Sequence, residues 1–469
     1  MRVLITNSPL QFYHRTAFFF RDQGALNLSI LATVIAGKHE VKIQDNWHYI
    51  FRYEGIFKEI EQFRPDVIGI SHSSEVDTEN VFAVARKIKK LYPSIIVIGG
   101  GQYPTMFPKE TLQNGFDYIV RGEGEITFPE LLDAIEGRRA LSSVLGISYM
   151  ENGEFKETAE RTQSKLNDLP FPSLKFVPKH KSFYFPGKYA SVIETARGCP
   201  FHCNFCIVTA YFHQKWYRRD NEKIINEIKN LKYNLGIEHF YFLDESWGIS
   251  PDEYGDLCQR MIDEKLNIKW YPSGMRTDTI VKNPELVKLA SRAGMYGTLV
   301  GFESYTEKTL SDANKQSNIS NNRKASEIMR ANNLIVYGVH IYGLPGEQSF
   351  KPTYKEGRKR SDVFCISMFS LLPGTPLFKT AEEQGNAVKI PIEKRLYPYS
   401  YFMAGEGRDM AKMTLNFMFW HLRYHISPRT ILDTIFSRGV KRRFKIADYL
   451  SCFQYAFFLF LRKVGYRVA

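Results

Sequence analysis

The chain has 469 residues, of which 44% are hydrophobic and 24% charged, and its formal net charge is +13. This length exceeds one ordinary hydrophobic core and predicts two domains with additional segments. Six cysteines in such a length argue against a disulfide scaffold and favour a reducing, cytoplasmic setting with metal-binding thiolates. The N-terminus lacks the pattern of a signal peptide, and no apolar stretch reaches the roughly 20 residues of a membrane-spanning helix.

Residues 1–137 alternate short runs rich in Val and Ile with helical patterns. The strand-like runs are RVLIT, EVKIQD, DVIGIS, IIVIG and DYIV, and an amphipathic helix with i, i+3, i+4, i+7 spacing separates the third from the fourth. Strand and helix in this rhythm predict an α/β domain with a doubly wound parallel sheet.

The ends of these strands carry polar and glycine residues. Doubly wound sheets bind ligands beyond the carboxyl ends of their strands, and glycine lets the backbone approach a bulky ligand closely. Each loop is equally compatible with a tight turn that binds nothing. The GxGxxG fingerprint is absent, so a nicotinamide cofactor is not favoured. The candidate ligand-binding residues at these ends are Asn7, Ser8, Ser71, Gly99, Gly100, Gly101, Gly122 and Glu123.

A connector and a second β/α series follow. Residues 138–185 contain a predicted hairpin that turns at Asn152-Gly153 and a proline-stiffened linker, NDLPFPSL. Residues 186–400 contain six predicted β/α units, which are too few for an eight-fold barrel and predict an open (β/α)6 barrel. In β/α barrels the chemistry takes place at the carboxyl ends of the strands.

The first of these strand ends carries three cysteines, Cys199, Cys203 and Cys206, in the sequence ETARGCPFHCNFC. Three thiolates can hold three irons of a cubane cluster and leave the fourth iron open for a substrate. The alternative is a structural zinc completed by His202 or His213, but structural zinc usually takes paired CxxC ligands, which are absent here.

The spacing CxxxCxxC, with Phe205 before the last cysteine, resembles the radical S-adenosylmethionine (SAM) superfamily. The segments GGGQYPTMFPKE, DYIVRGEGEITFPEL, NDLPFPSL, WYPSGMRTD, LVGFES, GLPGE and LLPGTPLF are similar to the subgroup with an N-terminal cobalamin-binding domain. The resemblance implies a 4Fe–4S cluster on the three cysteines, whose open iron binds the amino and carboxylate groups of SAM. It also implies reductive cleavage of SAM to methionine and a 5′-deoxyadenosyl radical, with an external low-potential electron donor.

The same resemblance implies which residues bind the two organic cofactors. The residues implied for SAM are Phe205, Asp244, Glu245, Arg276, Glu303 and Ser304. Cobalamin is implied at the strand ends of the first domain. The D-x-H-x-x-G signature of histidine ligation to cobalt is absent, since His48 has the wrong spacing from Asp45, and cobalamin is therefore expected without a histidine from that motif.

The resemblance favours methyl transfer to an unactivated carbon of a hydrophobic substrate, by analogy with the more frequent outcome among relatives. The alternative is an oxidative cyclase or oxidoreductase acting on a tetrapyrrole or lipid. A tRNA methylthiotransferase would need further cysteines in its first domain, yet the first cysteine here is Cys199. A non-enzymatic iron–sulfur or nucleic-acid-binding module would make the polar residues at the strand ends coincidental, so nucleic acid is not favoured.

Residues 401–469 are predicted to form a helical extension rich in basic and aromatic residues. Its run from Tyr449 to Leu461 is apolar almost all round, has basic flanks and is too short to span a bilayer. Such a run fits either a helix buried against the barrel or an interfacial helix beside anionic head groups. The hypothesis is peripheral membrane contact through this C-terminal segment.

Overall fold

The computed structural model describes residues 1–7, 26–45, 54–72, 78–177, 179–389, 402–404 and 410–450. The described residues divide into two compact units, one up to residue 177 and one from residue 179. The predicted α/β class is confirmed. The boundaries drawn above at 137, 185 and 400 stay predictions. Ser8 and the tail run beyond Leu450 lie outside the described residues.

The first unit is built on a seven-stranded sheet of order β2-β1-β3-β4-β5-β6-β7. Its first five strands are parallel, so the predicted doubly wound sheet is confirmed. The strands are β1 (Arg2–Asn7), β2 (Glu40–Gln44), β3 (Val67–Ser71), β4 (Ile96–Gly100), β5 (Tyr118–Val120), β6 (Ile147–Glu151) and β7 (Glu154–Glu157). The helices are α1 (Leu26–Ile35), α2 (Glu54–Phe63), α3 (Thr78–Leu91), α4 (Gln102–Met106), α5 (Pro108–Leu112) and α6 (Gly124–Ile135).

The hairpin predicted at Asn152-Gly153 is present, and β6 and β7 are antiparallel. Because β6 also pairs antiparallel with β5, the hairpin extends the first sheet and is not a free-standing connector. The central strands β1, β3 and β4 are buried on both faces, as expected for a parallel sheet covered by helices. Burial of Val3, Val67 and Ile98 against α1 and α6 therefore holds this unit together.

Six parallel strands form the open barrel of the second unit. Two four-stranded sheets, β13-β12-β9-β8 and β14-β15-β16-β17, meet where Trp270 pairs with Met295. The strands are β8 (His180–Lys181), β9 (Tyr189–Ile193), β10 (Ala196–Gly198), β11 (Trp216–Arg218), β12 (Ile237–Phe242), β13 (Lys269–Pro272), β14 (Met275–Arg276), β15 (Gly297–Glu303), β16 (Ile335–Tyr342), β17 (Val363–Met368), β18 (Ala387–Lys389) and β19 (Phe402–Ala404). The barrel strands are β9, β12, β13, β15, β16 and β17, and the predicted (β/α)6 arrangement is confirmed.

Helices cover the outside of the barrel. They are α7 (Ile207–Tyr211), α8 (Asn221–Leu235), α9 (Pro251–Asp263), α10 (Thr277–Lys282), α11 (Pro284–Arg292), α12 (Glu307–Asp312), α13 (Ile319–Ala331), α14 (Lys351–Arg360) and α15 (Pro376–Glu383). The end of helix α8 has a clear cause in the sequence. Gly236 follows α8 with a left-handed φ of 69°, a conformation that glycine adopts at little cost.

Apart from the short strand β19, the described part of the C-terminal extension is helical, as predicted. It contains α16 (Met410–His425), α17 (Pro428–Phe436) and a helix over residues 439–450. Helix α16 packs on the edge strand β17, where the Tyr424 hydroxyl lies 3.3 Å from the Phe364 amide nitrogen and accepts its hydrogen bond. Phe444 is fully buried and stacks on Tyr184 with ring centroids 4.2 Å apart. Among the described residues, no helix is long and apolar enough to cross a membrane.

Candidate active site

The three cysteines lie in the loop between β10 and α7, at the carboxyl end of the first barrel strand. All three are free; Cys203 is buried and Cys199 and Cys206 are partly buried. Gly198 precedes the loop with a φ of 80°, and a Cβ there would lie 2.2 Å from the Lys215 carbonyl oxygen. Only glycine therefore fits at this point, which fixes the direction in which the chain enters the loop.

Side-chain amides tie the cysteine loop to the segment that follows α12. The Asn204 amide nitrogen Nδ2 donates to the Asp312 carbonyl at 2.7 Å, and the Asn204 backbone amide donates to the Ala313 carbonyl at 3.3 Å. In return, Asn314 Nδ2 donates to the His202 carbonyl at 2.8 Å. The loop is thus held by hydrogen bonds on both sides of Cys203.

The number and spacing of the cysteine ligands separate the two metal alternatives. Structural zinc usually takes four ligands from paired CxxC motifs. The loop supplies three cysteines with the spacing CxxxCxxC, and three thiolates can hold three irons of a cubane cluster and leave the fourth iron open. This ligand set therefore fits the cluster better than structural zinc.

The electrostatics of the loop also suit a cluster. Burial raises the pKa of the Cys199 thiol to about 11 and raises that of Cys206 above its ordinary value. The bare thiols of Cys199 and Cys206 are therefore protonated at neutral pH. Iron binding requires thiolates, so loading a cluster releases protons.

Arg276, expected from the resemblance to hold SAM, lies directly against the cysteine loop. Its Nη1 donates to Cys203 Sγ at 3.2 Å, its Nη2 to the Lys315 carbonyl at 2.5 Å and its Nε to Asp278 Oδ1 at 2.9 Å. The guanidinium also stacks 3.8 Å from the centroid of the Phe201 ring. With every nitrogen engaged and the side chain buried, Arg276 positions the loop and places a positive charge beside the Cys203 sulfur.

Glu303 and Lys315 form a buried ion pair in the same region. Lys315 Nζ lies 2.6 Å from Glu303 Oε1, and both side chains are less than 10% exposed. Glu303 sits at an irregularity in the β15–β16 pairing with a φ of 57°, and a Cβ on Gly301 would lie 2.6 Å from the Glu303 carboxylate. Sequence reasoning missed Lys315. The residues around it, in the sequence NKQSN, form no recognisable motif, and only the fold brings Lys315 to Glu303.

The remaining residues implied for SAM have different surroundings. Ser304 is buried, lies 3.2 Å from the Thr353 hydroxyl and accepts a hydrogen bond from the Thr306 amide at the start of α12. Phe205 is partly buried within the loop itself. The structure therefore brings Phe205, Arg276 and Glu303 to the cysteine region, and gives Ser304 contacts that stabilise a helix terminus.

Asp244 and Glu245 follow β12 and brace the entry to the cysteine loop. The Asp244 carboxylate accepts hydrogen bonds from the Thr195 amide at 2.8 Å, the Ala196 amide at 3.1 Å, the Tyr254 hydroxyl at 2.9 Å and the Thr195 hydroxyl. Through these hydrogen bonds, Asp244 connects the end of β12 to the segment between β9 and β10 and to the first residue of β10. Glu245 Oε2 accepts from the Gly198 amide at 3.0 Å.

The stability of the apoprotein is expected to depend on Glu245. Burial, followed by the nearby Glu194 carboxylate, raises the pKa of Glu245 to about 8. A carboxyl that stays protonated in the fold but ionises in the unfolded chain makes stability fall as pH rises from about 4.5 to about 8. The urea midpoint of the apoprotein should fall across this range, and Glu245→Gln should flatten the fall. If the urea midpoint of Glu245→Gln fell with pH as steeply as that of the parent, groups other than Glu245 would determine the pH dependence of stability.

The strand ends of the first unit bring three of the predicted cobalamin residues into one row. Asn7, Ser71 and Gly100 are direct partners across β1, β3 and β4. Asn7 Nδ2 donates to Asp45 Oδ1 at 2.8 Å, and Ser71 Oγ accepts from Asn27 Nδ2 at 2.7 Å. This row lies at the carboxyl edge of the parallel sheet, where ligands of doubly wound folds bind.

The glycines at this edge have different roles. Among the described residues, a Cβ on Gly100 would meet nothing closer than 3.8 Å, and one on Gly122 would meet nothing within 4 Å, so both leave space for a bulky ligand beside the described part of this edge. A Cβ on Gly99 would lie 2.9 Å from the Ile119 side chain, which makes Gly99 a packing residue. Gly101, with a φ of 102°, would place its Cβ 2.6 Å from the His72 carbonyl and serves a turn.

Glu123 completes the predicted set at this edge. It directly precedes α6, and its Oε2 accepts a hydrogen bond from the Ser164 amide at 2.7 Å. That contact ties the segment after the hairpin back to the sheet. The open positions Gly100 and Gly122 therefore fit the predicted cofactor, while Gly99, Gly101 and Glu123 shape the edge around them.

Comparison with known proteins agrees with both halves of this description. Residues 20–132 match the B12 binding domain family, and residues 193–349 match the Radical SAM superfamily. An uncharacterized methyltransferase of Pyrococcus horikoshii is 30% identical over 362 residues, which cover 76% of this chain and 78% of the relative. The anaerobic magnesium-protoporphyrin IX monomethyl ester cyclase of Synechocystis is 29% identical over 311 residues, covering 66% of this chain and 62% of the relative.

A solved structure shares the fold over nearly the full length. The methyltransferase TsrM from Kitasatospora setae, solved with cobalamin and a [4Fe-4S] cluster bound, has a TM-score of 0.70 and 14% identity. The match covers 97% of this chain and 99% of TsrM. The cysteine loop, the open barrel, the doubly wound sheet and these matches lead to one conclusion: the chain belongs to the radical SAM superfamily, in the subgroup with an N-terminal B12-binding domain.

Proposed function

We propose that this enzyme cleaves SAM reductively at a 4Fe–4S cluster held by Cys199, Cys203 and Cys206, and transfers a methyl group to an unactivated carbon. The observation that carries the proposal is the set of three free thiols in one loop, with Arg276 donating a hydrogen bond to one sulfur. The cluster supplies the electron for SAM cleavage, and cobalamin supplies organometallic methyl chemistry.

The chain's own residues would prepare the site for this chemistry. Arg276 and the buried Lys315 supply two positive charges close to the sulfur ligands, which favour thiolates over thiols. Asp244 and Glu245 hold the strand ends that carry the loop. Glu303, buried at its strand irregularity, is the carboxylate we assign to the ammonium group of SAM, an assignment that rests on the family resemblance together with this position.

The substrate we propose is a hydrophobic small molecule. Among the relatives, the hopanoid C-3 methylase of Methylococcus capsulatus is 24% identical over 386 residues, and the bacteriochlorophyllide d C-12(1)-methyltransferase of Chlorobaculum tepidum is 25% identical over 330 residues. The substrates in these names are a lipid and a tetrapyrrole. An external low-potential electron donor completes the proposal, since reductive cleavage consumes an electron.

The second candidate is oxidative ring formation, favoured by the similarity to the three anaerobic cyclases. Reaction of the anaerobically reconstituted enzyme with SAM labelled in its methyl group, in the presence of a tetrapyrrole or hopanoid extract, separates the two. Methyl transfer predicts label in the product. Label that stays wholly in methionine, with a product that has lost hydrogen, would establish the oxidative reaction instead.

Cobalamin binding at the first unit is expected to depend on the open position Gly100. Gly100→Leu should fill the space beyond β4 without a backbone clash, leave the unfolding midpoint near that of the parent, and lower cobalamin affinity by at least about tenfold. Gly37→Leu is the matched control: among the described residues, a Cβ at Gly37 meets nothing within 4 Å and one at Gly100 meets nothing closer than 3.8 Å, but Gly37 precedes β2 at the opposite edge of the sheet. Equal affinities of the two variants, measured by equilibrium dialysis, would remove cobalamin from this edge.

We also propose that no protein histidine binds the cobalt. Among the described residues at this edge, His72 is fully buried and its ring stacks 4.6 Å from that of Tyr103, which supports this view.

We further propose peripheral membrane contact through the tail run from Tyr449 to Leu461. Nearly all of that run lies outside the described residues.

A further inference from the structure

The C-terminal helices α16 and α17 expose an unusual number of large apolar side chains. Seven of the fourteen large hydrophobic residues that are exposed in the described chain lie on these two helices, and an eighth, Ile426, lies in the short connection between them. Soluble surfaces rarely collect apolar side chains in one patch unless the patch binds something. The eight residues, called the apolar patch below, are Leu415, Phe419, Leu422, Ile426, Ile431, Leu432, Ile435 and Phe436.

Helix α16 is apolar on two sides. Phe417 and Tyr424 are buried against the barrel, while Leu415 and Leu422 are 66% and 57% exposed. At 3.6 residues per turn, the exposed stripe lies roughly opposite the buried one. A surface helix with one partner needs only the buried stripe, so the outer stripe is not explained by packing on β17.

A strongly basic groove borders the apolar patch. It is the smaller, of about 560 Å³, of two adjoining cavities that share Arg358, Lys359 and Arg429, and the larger one, of about 850 Å³, also has the carboxylates of Asp362 and Asp433 in its lining. The smaller cavity is lined by six cations, no carboxylate, and the rings of Tyr354 and Trp420. The six cations, called the basic groove below, are Lys351, Lys355, Arg358, Lys359, Arg423 and Arg429.

Most of these cations have no anionic partner. Among the residues that the structure describes, Lys359 alone of the six forms an ion pair with a carboxylate, that of Glu356 at 3.2 Å. Arg423 instead lies 5.8 Å from the ring centroids of both Phe419 and Trp420. Because Phe419 belongs to the apolar patch and Trp420 lines the groove, Arg423 joins the two into one continuous surface.

We propose that the apolar patch and the basic groove together bind the surface of an anionic lipid bilayer. Exposed aliphatic and aromatic side chains would enter the boundary of the acyl chains, and the unpaired cations would meet lipid phosphates. A nucleic acid or an acidic protein would satisfy the cations but leave the aliphatic patch exposed. A second copy of the chain would cover the patch but would bring the two basic grooves together across a two-fold axis.

This inference concerns a surface and not the reaction, so its test does not depend on turnover. The full chain should float with vesicles of phosphatidylcholine and phosphatidylglycerol, and should not float with phosphatidylcholine alone. Lys351→Glu/Lys355→Glu should lower the partition coefficient by at least about tenfold. Leu415→Ser/Leu422→Ser should lower it by a similar factor, since both leucines are already exposed and their loss leaves the core intact.

Two controls keep the result specific. Lys282→Glu/Lys288→Glu makes the same change in net charge on α10 and α11, and Leu91→Ser removes a leucine that is 51% exposed in the first unit. Both should float as the parent does. Equal losses in test and control variants would overturn the proposal. So would a parent that binds no vesicles, or one whose sedimentation shows self-association that the leucine variant abolishes.

Discussion

Replacing all three loop cysteines, Cys199, Cys203 and Cys206, with Ala should abolish cluster assembly and all SAM cleavage. All three thiols are free, and the proposed cubane cluster takes its three protein ligands from them. Anaerobic reconstitution of the triple variant should therefore give no broad visible absorption and only background iron. The fold should survive, since hydrogen bonds through Asn204 and Asn314 hold the loop without metal.

The matched control is Cys258→Ala, because Cys258 is a buried core thiol on α9. That variant should keep its cluster and lose only the stability of a small cavity, about 1 kcal/mol. Full SAM cleavage by the triple variant would refute the assignment of the cysteine loop. The assignment would also be refuted if Cys258→Ala, which keeps all three loop cysteines, failed to assemble a cluster.

Replacing Arg276 with Leu should destabilise the cysteine loop far more than an ordinary arginine substitution. Arg276 and Asp278 are a buried pair, and removing one partner of such a pair costs about 3–5 kcal/mol. The change also removes the donor to Cys203 and a positive charge beside a thiolate. We expect a lower urea midpoint and a reduced iron content after reconstitution.

The comparison for this variant is Arg260→Leu on α9. Arg260 and Asp256 form a pair of similar length, with N–O distances of 2.7 Å against 2.9 Å, but both its side chains are about half exposed. An exposed pair contributes about 0–1 kcal/mol, so this variant should remain near the parent. Arg276→Lys should recover only part of the stability. It keeps the positive charge but loses the planar guanidinium, whose three nitrogens each donate a hydrogen bond in the parent. Equal unfolding midpoints for Arg276→Leu and Arg260→Leu would contradict this account.

Local patterns were sufficient to predict the layout of the fold. The Val- and Ile-rich runs gave the strands, because parallel strands buried on both faces read as continuous apolar segments. The dipeptide Asn152-Gly153 identified the hairpin, since its turn needs residues that accept a positive φ, as both do here. The role of the hairpin as an extension of the sheet was not predictable, because strand pairing with β5 is a long-range contact.

The candidate site was predicted less evenly. The cysteines carry a spacing that only the site explains, whereas Lys315 carries no local signal and meets Glu303 only through the fold. The three glycines at the carboxyl end of β4 could not be told apart in sequence. Their difference lies in what a side chain would touch: Ile119 for Gly99, open space for Gly100 and the backbone of His72 for Gly101. Such three-dimensional neighbours separate packing residues from ligand-facing residues.

The central claim is that the three-cysteine loop supports reductive cleavage of SAM. The most direct measurement is the release of 5′-deoxyadenosine by the full chain, reconstituted anaerobically with iron and sulfide and supplied with SAM and a strong reductant. The account predicts 5′-deoxyadenosine from the parent and from Cys258→Ala, and none from the triple Ala variant of Cys199, Cys203 and Cys206. The account would be contradicted if the parent carried a full cluster and still released no 5′-deoxyadenosine, both alone and with a tetrapyrrole or hopanoid extract added.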